Sequence, residues 1–202
     1  NPGYPFWKLS GFYWFYFAVL GAIIPYWGLY LKDLGFSSSQ IGELIAIILA
    51  TKIISPSLWG WLADRSGKRI SIIRIGAFLT VLSFAGVFIN HHYWWLMIVM
   101  FSFSFFWNAI LPQFEALTMT FLGEDHHRYS LIRLWGSIGF IVSVLFLGYL
   151  FSYIEIHYLP WIILTLFIGL FISSLFISEQ MPLAHEQEHE PLSLLLKRPE
   201  LI

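Results

Sequence analysis

The stretch GWLADRSGKR, residues 60–69, interrupts an otherwise apolar part of the sequence with a concentrated group of charges. For about fifteen residues on either side, the only other charged side chains are those of Lys52 and Arg74. An apolar run that stops briefly at a charged segment and then resumes is typical of two membrane-spanning helices joined by a short loop. Gly60 and Gly67 indicate a tight reversal, because glycine accepts positive φ angles.

The composition of the whole chain supports a membrane protein. Of its 202 residues, 58% are hydrophobic, 20% are aromatic and only 11% are charged, and the mean hydropathy is +0.72. A soluble domain carries about 25% charged residues, so this chain has too few polar groups to cover a water-exposed surface. We therefore predict an all-α integral membrane protein whose surroundings are the lipid bilayer. The net charge of −1 argues against a nucleic-acid partner.

Six apolar segments are each long enough to cross a bilayer core, which takes about 20 helical residues. We predict spans at about 6–31, 41–62, 70–89, 94–121, 131–153 and 161–177. Either Ser38 or Ser39 can cap the second helix. Residues 1–177 are thus predicted to form one six-helix transmembrane domain. Residues 178–202 are predicted to be a cytoplasmic linker and the start of a seventh span.

The basic residues outside the spans predict the orientation, because Lys and Arg accumulate on the cytoplasmic side of a membrane. Lys32 is the only such residue on one side. The other side holds Lys8, Arg65, Lys68, Arg69, Arg74, Arg128, Lys197 and Arg198. We therefore predict that the N-terminus and the linker are cytoplasmic, in what we expect to be the inner membrane of a bacterium.

The charged stretch has a defined spacing that a simple orientation anchor does not need, since an anchor requires Lys and Arg but no Asp64. The spaced positions are Gly60, Asp64, Arg65, Gly67, Lys68 and Arg69. This pattern resembles the signature loop of the major facilitator superfamily, whose members are built from two six-span halves around a central cavity. The resemblance implies half of a twelve-span fold, with the C-terminal six-span half of the same polypeptide as its partner.

In that family the acid and the arginine of the loop hold the inner gate closed. By this resemblance, Asp64 would cap or salt-bridge the N-terminus of a helix. Arg65 would bridge to the cytoplasmic end of another span. The loop is therefore expected to be a gating element.

Lys52 lies near the middle of the second predicted span, where an ionisable side chain is costly and is a functional candidate by default. Its helical face is predicted to continue through Ser55, Pro56 and Trp59. The ammonium could bind a substrate carboxylate or pair with an acid in the membrane. In the latter case its role would be structural.

Glu115 in the fourth span and Arg133 at the start of the fifth form a second candidate site. Asn108, Pro112 and Glu115 fall on one predicted helical face, and Pro112 indicates a kink or a wet cavity. A carboxylic acid with restricted hydration can exchange protons. Because a short loop joins the two spans, we expect antiparallel neighbours with a Glu115–Arg133 ion pair. Alternatively, both side chains simply reach water at the membrane interface.

The segments PQFEAL and RLWG resemble the lactose permease-like branch of oligosaccharide:proton symporters, which includes the phenylpropionate permeases. In lactose permeases the matching acid and arginine contact the sugar, and a tryptophan stacks on its ring where this chain has Phe140. A cation at Lys52 is similar to the phenylpropionate permease pattern. Tyr26 and Trp27 are further candidates for ring stacking.

Together with these residues, the resemblance implies a proton-coupled symporter of a small organic solute. The first expectation for that solute is an aromatic carboxylate of phenylpropionate type. The alternatives are a sugar or nucleoside symporter and, in another class, a transport-inactive half that acts as a membrane interaction module. No Gly-rich phosphate loop, nucleophile elbow or zinc motif occurs in the sequence. We therefore expect no enzyme activity, no cofactor and no metal site.

Overall fold

The computed structural model describes residues 5–123 and 125–178, and it forms a bundle of six long helices. Among the residues so described there is no β-strand. All six helices are long and apolar enough to cross a membrane when the third is counted with the 3-10 turn Ala85–Phe88 after it and the sixth with the 3-10 turn Ile156–Tyr158 before it. The predicted all-α, six-span class is confirmed. The helices are α1 (Phe6–Asp33), α2 (Ser38–Ser66), α3 (Arg69–Phe84), α4 (Tyr93–Leu122), α5 (Tyr129–Leu150) and α6 (Leu159–Leu175). The predicted linker lies, from residue 179 onward, outside the described residues.

The start of α2 differs from the prediction by one residue. Ser37 is the N-cap, and it forms a capping box with Gln40. The Ser37 hydroxyl accepts from the Gln40 N–H at 3.4 Å, and the Gln40 side chain accepts from the Ser37 N–H at 3.0 Å. Ser38 and Ser39 lie in the first turn instead, so the prediction of either as the cap was wrong. A glutamine three residues after the serine is the signal that identifies the cap.

The reversal between α2 and α3 is much shorter than the charged stretch that predicted it. The second helix continues to Ser66, and only Gly67 and Lys68 separate it from α3. Gly67 has a φ of 65° and its N–H bonds to the Ala63 carbonyl at 3.0 Å, which is the left-handed helix end that favours glycine. Gly60 lies inside α2, so its predicted part in the turn was wrong.

Apart from α3 and α4, helices that follow each other in the sequence pack on other helices rather than on each other. The first helix packs along α5 and α6, the fourth along α2 and α3, and α3 also packs against α6. The expected pairing of α4 with α5 as close neighbours was wrong, because α5 lies mainly on α1 and touches α4 only slightly. The short loop after α4 thus joins two helices that pack against different helices of the bundle.

Glycines bring the backbones of α1 and α5 together. A Cβ atom added at Gly139 would lie 2.4 Å from the Trp14 carbonyl oxygen, and one at Gly21 would lie 2.6 Å from the Phe140 carbonyl oxygen. Small residues of this kind let membrane helices approach closely enough for dispersion forces to hold them. Glycine is therefore required at both positions for the observed helix separation.

Polar side chains join α2 to α4. The hydroxyl oxygens of Thr51 and Ser104 are 2.8 Å apart, and the Asn108 amide donates to Thr51 at 3.1 Å and to the Ile48 carbonyl at 3.2 Å. One turn further on, the Ser55 hydroxyl donates to the Phe105 carbonyl. Interhelical hydrogen bonds are an effective contact between membrane helices, since lipid competes for none of them. We call these residues the α2–α4 polar seam.

Candidate functional site: an ion pair between two spans

The fourth and fifth helices meet at an ion pair near one end of the bundle. The Nε atom of Arg133 lies 3.7 Å from Oε1 of Glu115, so the ion pair predicted from the sequence is present. Both side chains are partly accessible, with 30% of Arg133 and 38% of Glu115 exposed. Tyr129 donates from its hydroxyl to the same Glu115 oxygen at 3.4 Å. The carboxylate thus has two partners and still has an accessible edge.

Aromatic side chains of α1 hold the arginine in position. The Arg133 guanidinium carbon lies 3.8 Å from the centre of the Phe17 ring and 5.4 Å from that of Tyr13. Such cation–π contacts stabilise a cation away from bulk water. Tyr13 is itself fixed by a 3.4 Å hydrogen bond to Thr118 on α4. Sequence reasoning did not find Phe17 or Tyr13, since no local signal shows that α1 lies against α5.

Lys52 lies at the midpoint of α2, with fourteen residues to each end of the helix. Its side chain is exposed, and it has no ion pair among residues 5–123 and 125–178. Ser55 does not share its environment, because Ser55 is fully buried against α4. Pro56 and Trp59, the other members of the predicted face, are half-buried.

The candidate residues lie at two depths along the bundle. Bonds between Thr51 and both Ser104 and Asn108 fix the register of α2 on α4 and place Lys52 at that level. Glu115 follows Ser104 and Asn108 by eleven and seven residues on the same helix. At 1.5 Å per residue, the ion pair lies about 10–16 Å nearer the predicted cytoplasmic end than Lys52 does.

Three other candidate side chains have hydrogen-bond partners within the bundle. Asn108 is 7% exposed, and its amide donors belong to the polar seam. Trp27 is 1% exposed, and its indole N–H points to the Met100 sulfur at 3.5 Å. Tyr26 donates from its hydroxyl to the Val144 carbonyl at 2.7 Å. The ring of Trp27 is therefore a core element, which contradicts its selection as a stacking partner.

Phe140 is half-buried on α5, seven residues beyond Arg133. Its carbonyl oxygen faces Gly21 of α1, while its ring makes no stacking contact with another ring in the described part of the chain. Of the predicted ring partners, Phe140 is thus the one whose face is not already occupied by another aromatic side chain.

The charged stretch forms a compact clamp at the α2–α3 reversal. Asp64 binds Arg69, the first residue of α3, at 2.7 Å. This agrees with the expected bridge from Asp64 to a helix N-terminus. Arg65 was expected to reach another span, but its guanidinium lies over the Trp61 ring of its own helix, 5.4 Å from the ring centre.

Arg74 makes the contact between spans that was predicted for Arg65. Its guanidinium donates to the carbonyl groups of Ser174, Leu175 and Ile177, at 3.4, 3.4 and 2.7 Å. These carbonyls belong to the last turn of α6 and the residues that follow, where a helix has unpaired acceptors and a partial negative charge. The side chain therefore fastens α3 to the end of α6.

The described residues thus form a six-span bundle with a charged clamp at one reversal and an ion pair between two spans. Residues 6–198 match the MFS_1 like family. The chain therefore belongs to this family of major facilitator superfamily transporters, and it is an integral membrane protein.

Individual relatives transport different solutes. The chain is 29% identical over 137 residues to a probable 3-phenylpropionic acid transporter of Escherichia coli (strain K12), covering 68% of this chain and 36% of the relative. It is 28% identical over 144 residues to a maltose permease of Geobacillus stearothermophilus, covering 71% and 36%. The structure matches that of a nucleoside transporter NupG mutant with a TM-score of 0.80 at 20% identity, over 95% of this chain.

The likeness to the nucleoside transporter shows the fold alone, because the identity is 20%. This chain covers 48% of the nucleoside transporter, so it spans about half the length of that protein. The aligned parts correspond to 36% of each of the two curated relatives.

Proposed function

We propose that this chain is the N-terminal half of a twelve-span, proton-coupled symporter of a small organic solute. The proposed solute is an aromatic carboxylate of phenylpropionate type. The observation that carries the proposal is the partly exposed Glu115–Arg133 ion pair between α4 and α5. Ionisable side chains within membrane bundles commonly serve as proton relays or substrate contacts, and this carboxylate keeps an accessible edge.

Proton coupling would act through the partners of Glu115. Protonation of the carboxylate removes its attraction for Arg133, while Tyr129 and the Phe17 ring keep the two side chains close. The freed guanidinium can then bind an anionic or hydroxylated group of the solute. Deprotonation restores the pair and displaces that group, so that proton and solute occupancy change together.

Lys52 would bind the carboxylate of the solute. Its ammonium lies at mid-helix with no ion pair among the described residues, which is costly unless a counter-charge is supplied. Since Lys52 and Arg133 differ in depth by about 10–16 Å, a small solute would contact them in succession. Phe140 would offer its ring to the aromatic part of the solute.

The basic residues predict a cytoplasmic N-terminus and linker, in a bacterial inner membrane. The Asp64–Arg69 clamp would then lie on the cytoplasmic side, where it would help to close the gate against the C-terminal six-span half. That half would supply the other wall of the transport path.

The test is proton-linked uptake by the full-length protein in vesicles. Phenylpropionate, maltose and a nucleoside are offered separately while the external pH is followed. We expect alkalinisation outside with the aromatic acid only. If only maltose or only the nucleoside causes alkalinisation, the solute is not the aromatic acid. The proposed carboxylate-binding role of Lys52 is then contradicted as well.

Two variants test the residues, with one matched control. Lys52→Gln should abolish uptake of the aromatic acid, whereas Lys32→Gln, at the exposed end of α1, should leave it unchanged. Glu115→Gln should abolish accumulation but retain exchange of labelled for unlabelled solute, because exchange needs no net proton movement. Normal accumulation by Glu115→Gln would contradict its coupling role.

A sugar symporter is the second candidate, because the maltose permease aligns with as much of this chain as the phenylpropionic acid transporter does. A charged pair with accessible edges can bind hydroxyl groups as well as carboxylates. Maltose-dependent alkalinisation in the same vesicles would favour it. If a correctly inserted full-length protein responds to none of the three solutes, the membrane interaction module becomes the better interpretation.

A further inference from the structure

Two grooves run along the outer face of α1 at its N-terminal end. One lies between α1 and α6, has a volume of about 420 Å³, and is lined by Trp7, Lys8, Gly11, Phe15, Gly169, Ile172, Ser173 and Phe176. The other lies between α1 and α5, has a volume of about 220 Å³, and is lined by Trp7, Ser10, Gly11, Trp14, Phe15 and Trp135. The two share Trp7, Gly11 and Phe15, so together they form one forked depression, which we call the forked groove.

The forked groove faces away from the rest of the bundle. Tyr13 and Tyr16 on the opposite side of α1 are buried in the core, whereas Trp7 is 70% exposed and Phe176 is 63% exposed. In a chain that spans a membrane, such an outer face is in contact with lipid. The groove extends from Trp7 to Phe15, which is about 12 Å along the helix and within the roughly 15 Å depth of one leaflet.

Gly11 is the residue that opens the fork. A Cβ atom added there would meet nothing within 4 Å, in contrast to the tightly packed Gly139 on the other side of the α1–α5 contact. Close packing between helices therefore does not explain this glycine. It leaves space for a chain-like apolar molecule to lie against the helix backbone.

Two polar groups lie beside this apolar space. Lys8 is exposed at the mouth of the larger branch, next to the interfacial Trp7. Ser10 lines the smaller branch, is only 2% exposed, and its hydroxyl has no hydrogen-bond partner among the residues described. A buried hydroxyl without a partner is costly, and an acceptor from a bound molecule would satisfy it.

We propose that the forked groove binds one anionic phospholipid. Lys8 contacts the phosphate, the Ser10 hydroxyl donates to an ester carbonyl, and the two acyl chains follow the two branches past Gly11. An anionic head group fits better than a zwitterionic one, because choline or ethanolamine would bring a second cation to Lys8. The groove also lies at the end of the bundle that carries most of the basic residues, which anionic lipids favour.

The test counts lipids retained by the full-length protein in native mass spectrometry. Phosphatidylglycerol and phosphatidylcholine with identical acyl chains are added separately to detergent-purified protein. We expect the unmodified protein to retain phosphatidylglycerol about 5-fold more tightly, the preference that one interfacial cation gives. Equal retention of the two lipids would overturn the proposal of an anionic ligand.

Variants locate the site, each with a matched control. Gly11→Leu fills the fork and should remove the bound lipid, whereas Gly42→Leu, at another helical glycine with nothing within 4 Å, should not. Lys8→Gln should remove the preference for phosphatidylglycerol, whereas Lys32→Gln at the opposite end of α1 should keep it. Because Lys8 is exposed, its variant remains informative even if Gly11→Leu impairs folding. If Gly11→Leu and Lys8→Gln both retain phosphatidylglycerol as well as the unmodified protein does, the proposal is refuted.

Discussion

Replacing Gly139 with alanine tests the close contact of α1 and α5 most directly. The added methyl group would lie 2.4 Å from the Trp14 carbonyl oxygen, and ordinary contacts begin at 3.4 Å. The two helices must therefore separate locally by about 1 Å. Overpacking of this kind costs about 1–3 kcal/mol, and the better helix propensity of alanine returns up to about 1 kcal/mol. We expect a net loss of about 1–2 kcal/mol in the free energy of unfolding.

The matched control is Gly42→Ala in α2, where the added methyl group meets nothing within 4 Å. This variant has the same change in helix propensity without the clash, so it should be as stable as the unmodified protein or up to about 1 kcal/mol more stable. Reversible unfolding in mixed micelles with increasing sodium dodecyl sulfate, followed by tryptophan fluorescence, measures both. If Gly139→Ala is as stable as Gly42→Ala, the backbones of α1 and α5 are not in contact at this point.

Three further variants probe other contacts. Arg74→Gln should lower the free energy of unfolding by about 1–2 kcal/mol, because the last carbonyls of α6 lose a charged donor. The control is the same titration with Arg65→Gln, which should change the free energy of unfolding by less than about 1 kcal/mol. Asn108→Ala should cost about 1 kcal/mol by removing two interhelical hydrogen bonds, and a loss of transport at unchanged stability would instead favour a direct contact with the solute. Asp64→Asn should change stability by less than about 1 kcal/mol, since the pair is exposed, yet slow uptake in vesicles if the clamp acts in gating; normal uptake would contradict that role.

Hydropathy was sufficient to predict the number and type of the helices, because a bilayer admits few alternatives for a long apolar segment. The ends were harder to predict. A charged segment between two apolar runs suggests a loop, but the charged residues Asp64 and Arg65 stay helical, since a helix can extend beyond the hydrocarbon core. The cap at Ser37 was identifiable from Gln40, yet three successive serines made the choice ambiguous.

The candidate site was predictable only in part. The Glu115–Arg133 pair follows from spacing, because both residues lie within two turns of the same short loop. Phe17 and Tyr13 could not be found this way, since small residues on α5 allow a close approach without specifying which helix approaches. Trp27 was misassigned for a related reason: an aromatic residue in an apolar span has the same local pattern in the core and in a cavity.

The polar seam between α2 and α4 also bears on how the protein is made. The hydroxyl groups of Thr51 and Ser55 find their hydrogen-bond partners at residues 104–108, which come 50–57 residues later in the chain. At a synthesis rate of 5–20 residues per second, α2 waits roughly 3–11 s for α4 to leave the ribosome. For α1, whose closest partner is α5, the delay is longer still. Of the successive hairpins, only α3 with α4 forms a closely packed pair. Before their partners arrive, α1 and α2 must therefore be held in the bilayer or by the insertion machinery.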